Sequence, residues 1–175
     1  MKTHHFASAA SLLVLSLSTY SLATADPPPW VLTADSAGPL KIGMTLSEAS
    51  QTLGTKLDID PSDPDAIGCS ELDVPHMPGM GMMFENKRLT RIEVFKPSHL
   101  RTASGIGIGS TEAEVKAKYT PIDDQPQAYV DLPAKNLTWW AKKDVSGIRF
   151  ETDLKGHVNA IFAGTNAITY IEGCE

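Results

Sequence analysis

Gly43-Met44-Thr45-Leu46-Ser47-Glu48 and Gly109-Ser110-Thr111-Glu112-Ala113-Glu114 stand 66 residues apart and share the pattern G-x-T-x-x-E. Phe84-Glu85 recurs as Phe150-Glu151 at the same offset, and Leu89 and Ile92 answer Val158 and Ile161 at an offset of 69. A three-residue difference is what a longer turn in the second copy would produce. Offsets held across separate blocks mark a duplicated folding unit. The expected organisation is a segment 1–25 to be removed, an extended leader 26–37, a first repeat 38–103 and a second 104–175, the two repeats fused into one compact unit.

Each copy states where a helix begins. In a T-x-x-E capping box the Thr hydroxyl accepts from the backbone N–H three residues on, and the Glu carboxylate accepts from the Thr N–H. Leu46, Ala49 and Leu53 have helical spacing, with Gly54 as the C-cap. Val115 and Tyr119 supply the apolar face of the second helix, and Pro121 stops it. Strands are expected at Trp30–Thr33, Met82–Glu85, Leu89–Phe95, Ala128–Leu132, Leu137–Ala141, Gly147–Glu151, His157–Phe162 and Ile168–Ile171, and Leu40-Lys41-Ile42 enters the first repeat. Asn86-Lys87, Lys143–Gly147 and Asp153–Gly156 are the turns between them. The order is strand, helix and antiparallel strands, twice, an α+β fold with its helices packed on one side of an antiparallel sheet.

The ends of the chain speak to location. Lys2, the apolar run Ala9–Leu17 and Ala23-Thr24-Ala25 make an export signal cleaved after Ala25. The run is well short of the ~20 residues that cross a membrane, so no membrane anchor is expected. Cleavage leaves 150 residues with a net charge of −7. That balance excludes nucleic acid and anionic membrane surfaces, which need a basic patch. Cys69 and Cys174 are the two cysteines and form no C-x-x-C. In an exported chain they are expected to pair as a structural disulfide.

The string Gly43–Gly54, G-M-T-L-S-E-A-S-Q-T-L-G, resembles the G-M-T-x-x-x-V-x-x-x-L-G signature of the BamE/SmpA outer-membrane assembly lipoproteins, with Gly109–Tyr119 as a degenerate second copy. Two such units in one secreted chain are similar to the tandem layout of the β-lactamase inhibitor protein family. The layout ending in Tyr170-Ile171-Glu172-Gly173-Cys174 also looks like uncharacterised secreted proteins of Gram-negative bacteria. The resemblance implies a periplasmic module that binds a periplasmic or outer-membrane protein through its sheet face, as an inhibitor or an envelope-assembly factor. No cofactor is implied.

Six clusters are candidates for chemistry. His76-Met77-Pro78-Gly79-Met80-Gly81-Met82-Met83 gathers soft thioethers and an imidazole, a donor set suited to copper, with His76, Met77, Met80 and Met82 as ligands. The competing use of such methionines is to fill core gaps. Trp139 and Trp140 must point to opposite faces of a strand, and one of them with Tyr129 would form a contact patch for a protein or a sugar ring. The Asp58–Asp65 loop lacks the Gly and distal Glu of an EF-hand, and Gly105–Ser110 fails both the Walker and the Rossmann patterns. Ser98, His99 and Ser104, or Asp123, Asp124 and Glu151, form no recognisable catalytic spacing, so no catalytic residue is named.

Overall fold

The structure, a computed structural model, describes residues 29–59, 62, 66 and 68–174. The expected export signal, residues 26–28 of the leader and most of the Asp58–Asp65 loop lie outside the described residues. The chain folds as β1 (Val31–Leu32), β2 (Ser36–Ala37), β3 (Leu40–Lys41), α1 (Leu46–Leu53), β4 (Cys69–Asp73), β5 (Met80–Glu85), β6 (Arg88–Phe95), β7 (Arg101–Thr102), α2 (Glu112–Lys118), β8 (Asp123–Pro126), β9 (Lys135–Lys142), β10 (Ser146–Thr152) and β11 (Val158–Gly164). A 3₁₀ turn, Asn166–Thr169, follows. A sheet of seven strands has the order β4-β5-β6-β11-β10-β9-β8, and a small one has the order β3-β2-β1-β7. Every pairing in the large sheet is antiparallel. The class is α+β, mostly sheet.

Both helices start as the sequence dictates. Thr45 N donates to Glu48 Oε2 at 2.7 Å while Glu48 N donates to Thr45 Oγ1 at 3.2 Å. Thr111 and Glu114 repeat the same pair of bonds at 2.7 and 3.2 Å. Each helix start is also bonded to the turn of a hairpin. Gly43 N donates to Leu89 O at 2.7 Å, and Gly109 N to Val158 O at 2.8 Å. Leu46 N donates to Lys87 O at 3.1 Å, and Glu112 N to Gly156 O at 2.9 Å. The partners differ by 66 positions on the helix side and 69 on the hairpin side, the two offsets of the sequence.

The phenylalanine match is different. Phe150 stands opposite Ile161, but the residue opposite Ile92 is Met82, and Phe84 lies nearer its turn, opposite Leu89. A register shift after Met83 leaves Thr90 unpaired in this ladder, which keeps Phe84 on the core face although its position along the strand is not that of Phe150. Both rings are buried, at 1% and 0% exposure, because a two-residue displacement along a strand preserves the face.

Two expected strands are absent. Ala128–Leu132 is an exposed loop, and the strand that pairs with β9 is β8, Asp123–Pro126. All four β8 residues are exposed, so an edge strand held by backbone bonds offers no apolar alternation to read. Ile168–Ile171 begins within the 3₁₀ turn, where the Thr165 hydroxyl accepts from Ala167 N at 3.3 Å. β4 was unforeseen for the reason that hid β8: at the other edge of the sheet, its sequence C-S-E-L-D has little apolar pattern.

One face of the large sheet packs on the helices. Met80, Met82, Phe84, Ile92 and Val94 meet Leu137, Ile148, Phe150 and Ile161 in a core that also takes Ala49 of α1 and Val115 of α2. The other face carries buried charge. The Arg91 guanidinium donates to Glu93 Oε1 at 2.8 Å, Glu71 Oε1 at 2.8 Å and Ala167 O at 3.0 Å. Arg149 pairs with Glu151 at 2.7 Å and donates to Ile168 O at 3.3 Å. Fully buried Ile168 packs there with Ala160, Phe162 and Trp140. The chain's last turn therefore lies across this face, and the disulfide Cys69–Cys174 ties the end of the tail to the edge strand β4.

Candidate functional site

The tail and one loop shape a surface groove. Gln127 anchors the base of the loop, its Nε2 donating to Thr152 O at 2.8 Å and Lys135 O at 3.2 Å. Lys135 N donates to Thr152 Oγ1 at 2.9 Å, closing the same end. Beyond this base Tyr129, 75% exposed, donates its hydroxyl proton to the Glu172 carboxylate. Tyr170 donates to Glu85 Oε1 at 3.2 Å. Between these contacts lies a groove of about 560 Å³ lined by Cys69, Glu85, Tyr129 and the tail Thr169–Cys174. Val130, Leu132, Tyr170 and Ile171 are large exposed apolar side chains of the same loop and tail.

Hydrogen bonding to Glu172 raises the Tyr129 pKa above its ordinary value. For Tyr170, burial is the larger cause of a raised pKa and the Glu85 charge the next. Both phenols therefore stay protonated and able to donate across neutral pH. The groove combines aromatic surface with two carboxylates, the mixture that favours an amphipathic partner surface with a cationic side chain.

The tryptophans go elsewhere. Trp139 sits on the helix side, its ring 5.2 Å from Tyr119 in edge contact. Trp140 sits on the opposite face against Ala160, Phe162 and Ile168, with Lys143 Nζ 5.4 Å from its ring centre. Neither lines the groove. The structure does not bring Tyr129 together with either tryptophan; it places Tyr129 beside Tyr170 and the tail. The strand alternation correctly sent Trp139 and Trp140 apart, but the loop carrying Tyr129 folds toward the tail.

The methionine cluster also divides. Met80 and Met82 are 2% and 0% exposed and belong to the core, so as expected metal ligands they are corrected to packing residues. Their strand positions opposite Val94 and Ile92 turn both thioethers to the helix side. His76 is exposed and Met77 half-buried, and they line a cavity of about 340 Å³ with Trp30, Ser98 and His99. His99 and Trp30 were missed as companions of His76. Hairpin register held the signal: Met80 pairs with Val94, so the turn before β5 and the turn after β6 share one end of the sheet.

Asp124 and Glu151, of the acids weighed for catalysis, are engaged in ion pairs. Lys116 and Lys135 both reach Glu112 and Asp124, at 2.6 and 3.0 Å for Glu112 and 2.5 and 3.3 Å for Asp124. Bonds from Lys116, the largest cause, hold both carboxyls below their usual range. Glu151 is held by Arg149, and Ser104 lines a different cavity from Ser98 and His99. Among the described residues no three His, Cys, Asp or Glu side chains are grouped to hold a metal ion. No described helix is long and apolar enough to cross a membrane.

No family model matches the chain, and no curated protein matches it. A solved structure of a cysteine-rich secretory protein from Staphylococcus aureus aligns over 75% of this chain and 47% of its own, at 12% identity and a TM-score of 0.41. The chain thus spans about half the length of that protein, and a likeness this low carries no argument about fold family or function.

Proposed function

We propose that the chain is an exported, non-catalytic binding module that engages a protein partner of the bacterial envelope through the loop 128–132 and the C-terminal tail. The observation that carries this is the groove lined by exposed Tyr129, Tyr170 and Ile171, with Val130 and Leu132 exposed on the loop that carries Tyr129. Single exposed apolar residues are ordinary, whereas a contiguous apolar patch with a polar rim is the signature of an interaction surface. The patch is held before any partner arrives, by the Gln127 anchor, the two tyrosine–glutamate bonds and the disulfide. Preorganisation of that kind lowers the ordering cost of binding.

Duplication of a BamE-like unit supports the same proposal. The matched capping boxes and helix-to-hairpin bonds support a tandem repeat, and the export signal with its disulfide supports the periplasm. The resemblance would place the partner on the open sheet face. Here the 3₁₀ turn and the tail cover part of that face, so docking moves to the tail's outer side. Affinity capture from a periplasmic extract, with the parent and with Tyr129→Ala and Ile171→Ser variants, tests this. A saturable partner retained by the parent and lost by both variants is expected. A partner held equally by all three, or no partner at all, refutes it.

A further inference from the structure

The cavity beside β1 brings together His76, Met77 and His99, and Trp30 forms part of its wall. The two turns that carry the ligands are pressed backbone against backbone. Phe95 N donates to Gly79 O at 2.8 Å, and Ser98 N donates to Phe95 O at 2.9 Å. Gly79 has φ +78°, and a Cβ there would meet Phe95 O at 2.5 Å and Ser98 N at 2.8 Å. Only glycine permits this approach, and the approach is what brings His99 to the His76-Met77 turn.

Neither imidazole has a hydrogen bond or ion pair among the described residues. His76 is itself held at φ 62°, a left-handed conformation uncommon outside glycine that persists where surroundings enforce it. The rest of the lining is Pro29, Pro78, Pro97, Ser98 and Leu100, and Ser98 Oγ already accepts from Leu100 N at 3.2 Å. The cavity therefore offers two imidazoles and one thioether sulfur, with no carboxylate and no lysine in its lining. Hard cations such as calcium and magnesium require oxygen ligands, and structural zinc usually takes four ligands, thiolate and imidazole foremost. An N₂S set is suited to a d¹⁰ monovalent soft ion. The indole of Trp30 adds an aromatic wall of the kind that attracts cations.

We propose that His76, Met77 and His99 form a binding site for Cu(I), with Ag(I) as its redox-inert substitute. The site is independent of the tail groove and of the protein partner. It differs from a site built on the methionine cluster alone, since His99 supplies the ligand that the cluster lacks, and Met80 and Met82 play no part.

The test is an anaerobic Cu(I) titration against a chromophoric chelator, using the chain with His4→Ala and His5→Ala so that the N-terminal imidazoles are silent. One equivalent bound more tightly than micromolar is expected. His76→Ala and His99→Ala should each weaken binding by about tenfold or more, and Met77→Leu, which keeps volume and removes sulfur, should do the same. Ag(I) titration followed by NMR should shift the Met77 methyl and both imidazoles while leaving the Met80 and Met82 methyls in place. Binding no tighter than micromolar, or unchanged affinity in His99→Ala with an intact circular dichroism spectrum, overturns the proposal. Shifts at Met80 or Met82 instead of Met77 also overturn it.

Discussion

Arg91 is 3% exposed, and its guanidinium satisfies three groups at once: Glu93, 7% exposed, the Glu71 carboxylate, and the carbonyl of Ala167 in the last turn. It also lies 4.9 Å from the Phe162 ring centre. Replacing it by methionine keeps much of the volume and removes every one of these contacts. Glu71 is at the surface and regains water, since its side chain is 45% exposed. Glu93 does not, and a buried carboxylate stripped of its partner costs about 3–5 kcal/mol. For a chain of this size each kcal/mol lowers Tm by about 2–4 °C, so Arg91→Met should fall by roughly 6–20 °C. Urea unfolding followed by circular dichroism at neutral pH measures the loss directly.

The sign of the pH dependence gives the stricter check. Burial, the largest cause, already raises the Glu93 pKa, and Arg91 is what pulls it back down. Without Arg91 it must rise further. A carboxyl raised in the folded state contributes its stability below the unfolded pKa of about 4.3 and loses it as pH climbs through the folded value. The deficit of Arg91→Met should therefore shrink as pH falls toward that range, and Arg91→Met with Glu93→Leu should recover much of it at neutral pH. A loss below about 1 kcal/mol, or a deficit flat with pH, would show that the charged cluster is not the keystone of this face.

Thr45→Ala and Thr111→Ala should each destabilise by about 1 kcal/mol in urea unfolding, and nearly equally, because the two boxes share their bond lengths. The backbone N–H of Thr45, and of Thr111, holds the Glu48 and Glu114 pKa values low, so their contribution is present above the unfolded carboxyl pKa and lost as pH falls through the folded value; Glu48→Gln should flatten that acid limb. Breaking Cys69–Cys174 by a paired Cys→Ser exchange should cost up to about 4.7 kcal/mol in the chain-entropy model for a separation of 105 residues, read from the same melts. Tyr129→Ala should leave stability within about 0.5 kcal/mol, since the ring is 75% exposed, while abolishing partner capture.

What could be read in the chain follows the range of each interaction. The capping boxes are local, four residues long, and specify where both helices start; the second helix ends at Lys118, before the expected Tyr119 and Pro121. β6, β9, β10 and β11 announce themselves through apolar content, since one face of each meets the core. β4 and β8 are edge strands stabilised by backbone bonds to β5 and β9, which composition does not record. Ile168–Ile171 has strand composition, yet Thr165 N bonds to Thr90 O at 2.9 Å and turns the chain into a 3₁₀ turn, a contact 75 residues away in sequence. The site fared likewise. Cys69 and Cys174 are paired by counting alone, whereas Tyr129 with Glu172, and His76 with His99, meet through register and loop path.

Matching the two halves also isolates what is peculiar to each. The bonds they share join a helix start to a hairpin turn, and those positions are occupied by backbone that a ligand cannot reach without unfolding the cap. Both candidate surfaces lie outside that common set. The turn His76–Gly79 interrupts only the first half between β4 and β5, and it needs the turn after β6 to complete its ligands. The loop Ala128–Pro133 interrupts only the second half between β8 and β9, and it needs the tail that follows β11. Each surface therefore pairs one loop with a second segment further along the chain. Substitutions at one should leave the other intact, because the two share no lining residue. Loss of Cu(I) binding in His99→Ala with partner capture unchanged, and the converse in Tyr129→Ala, is the outcome that two independent sites require.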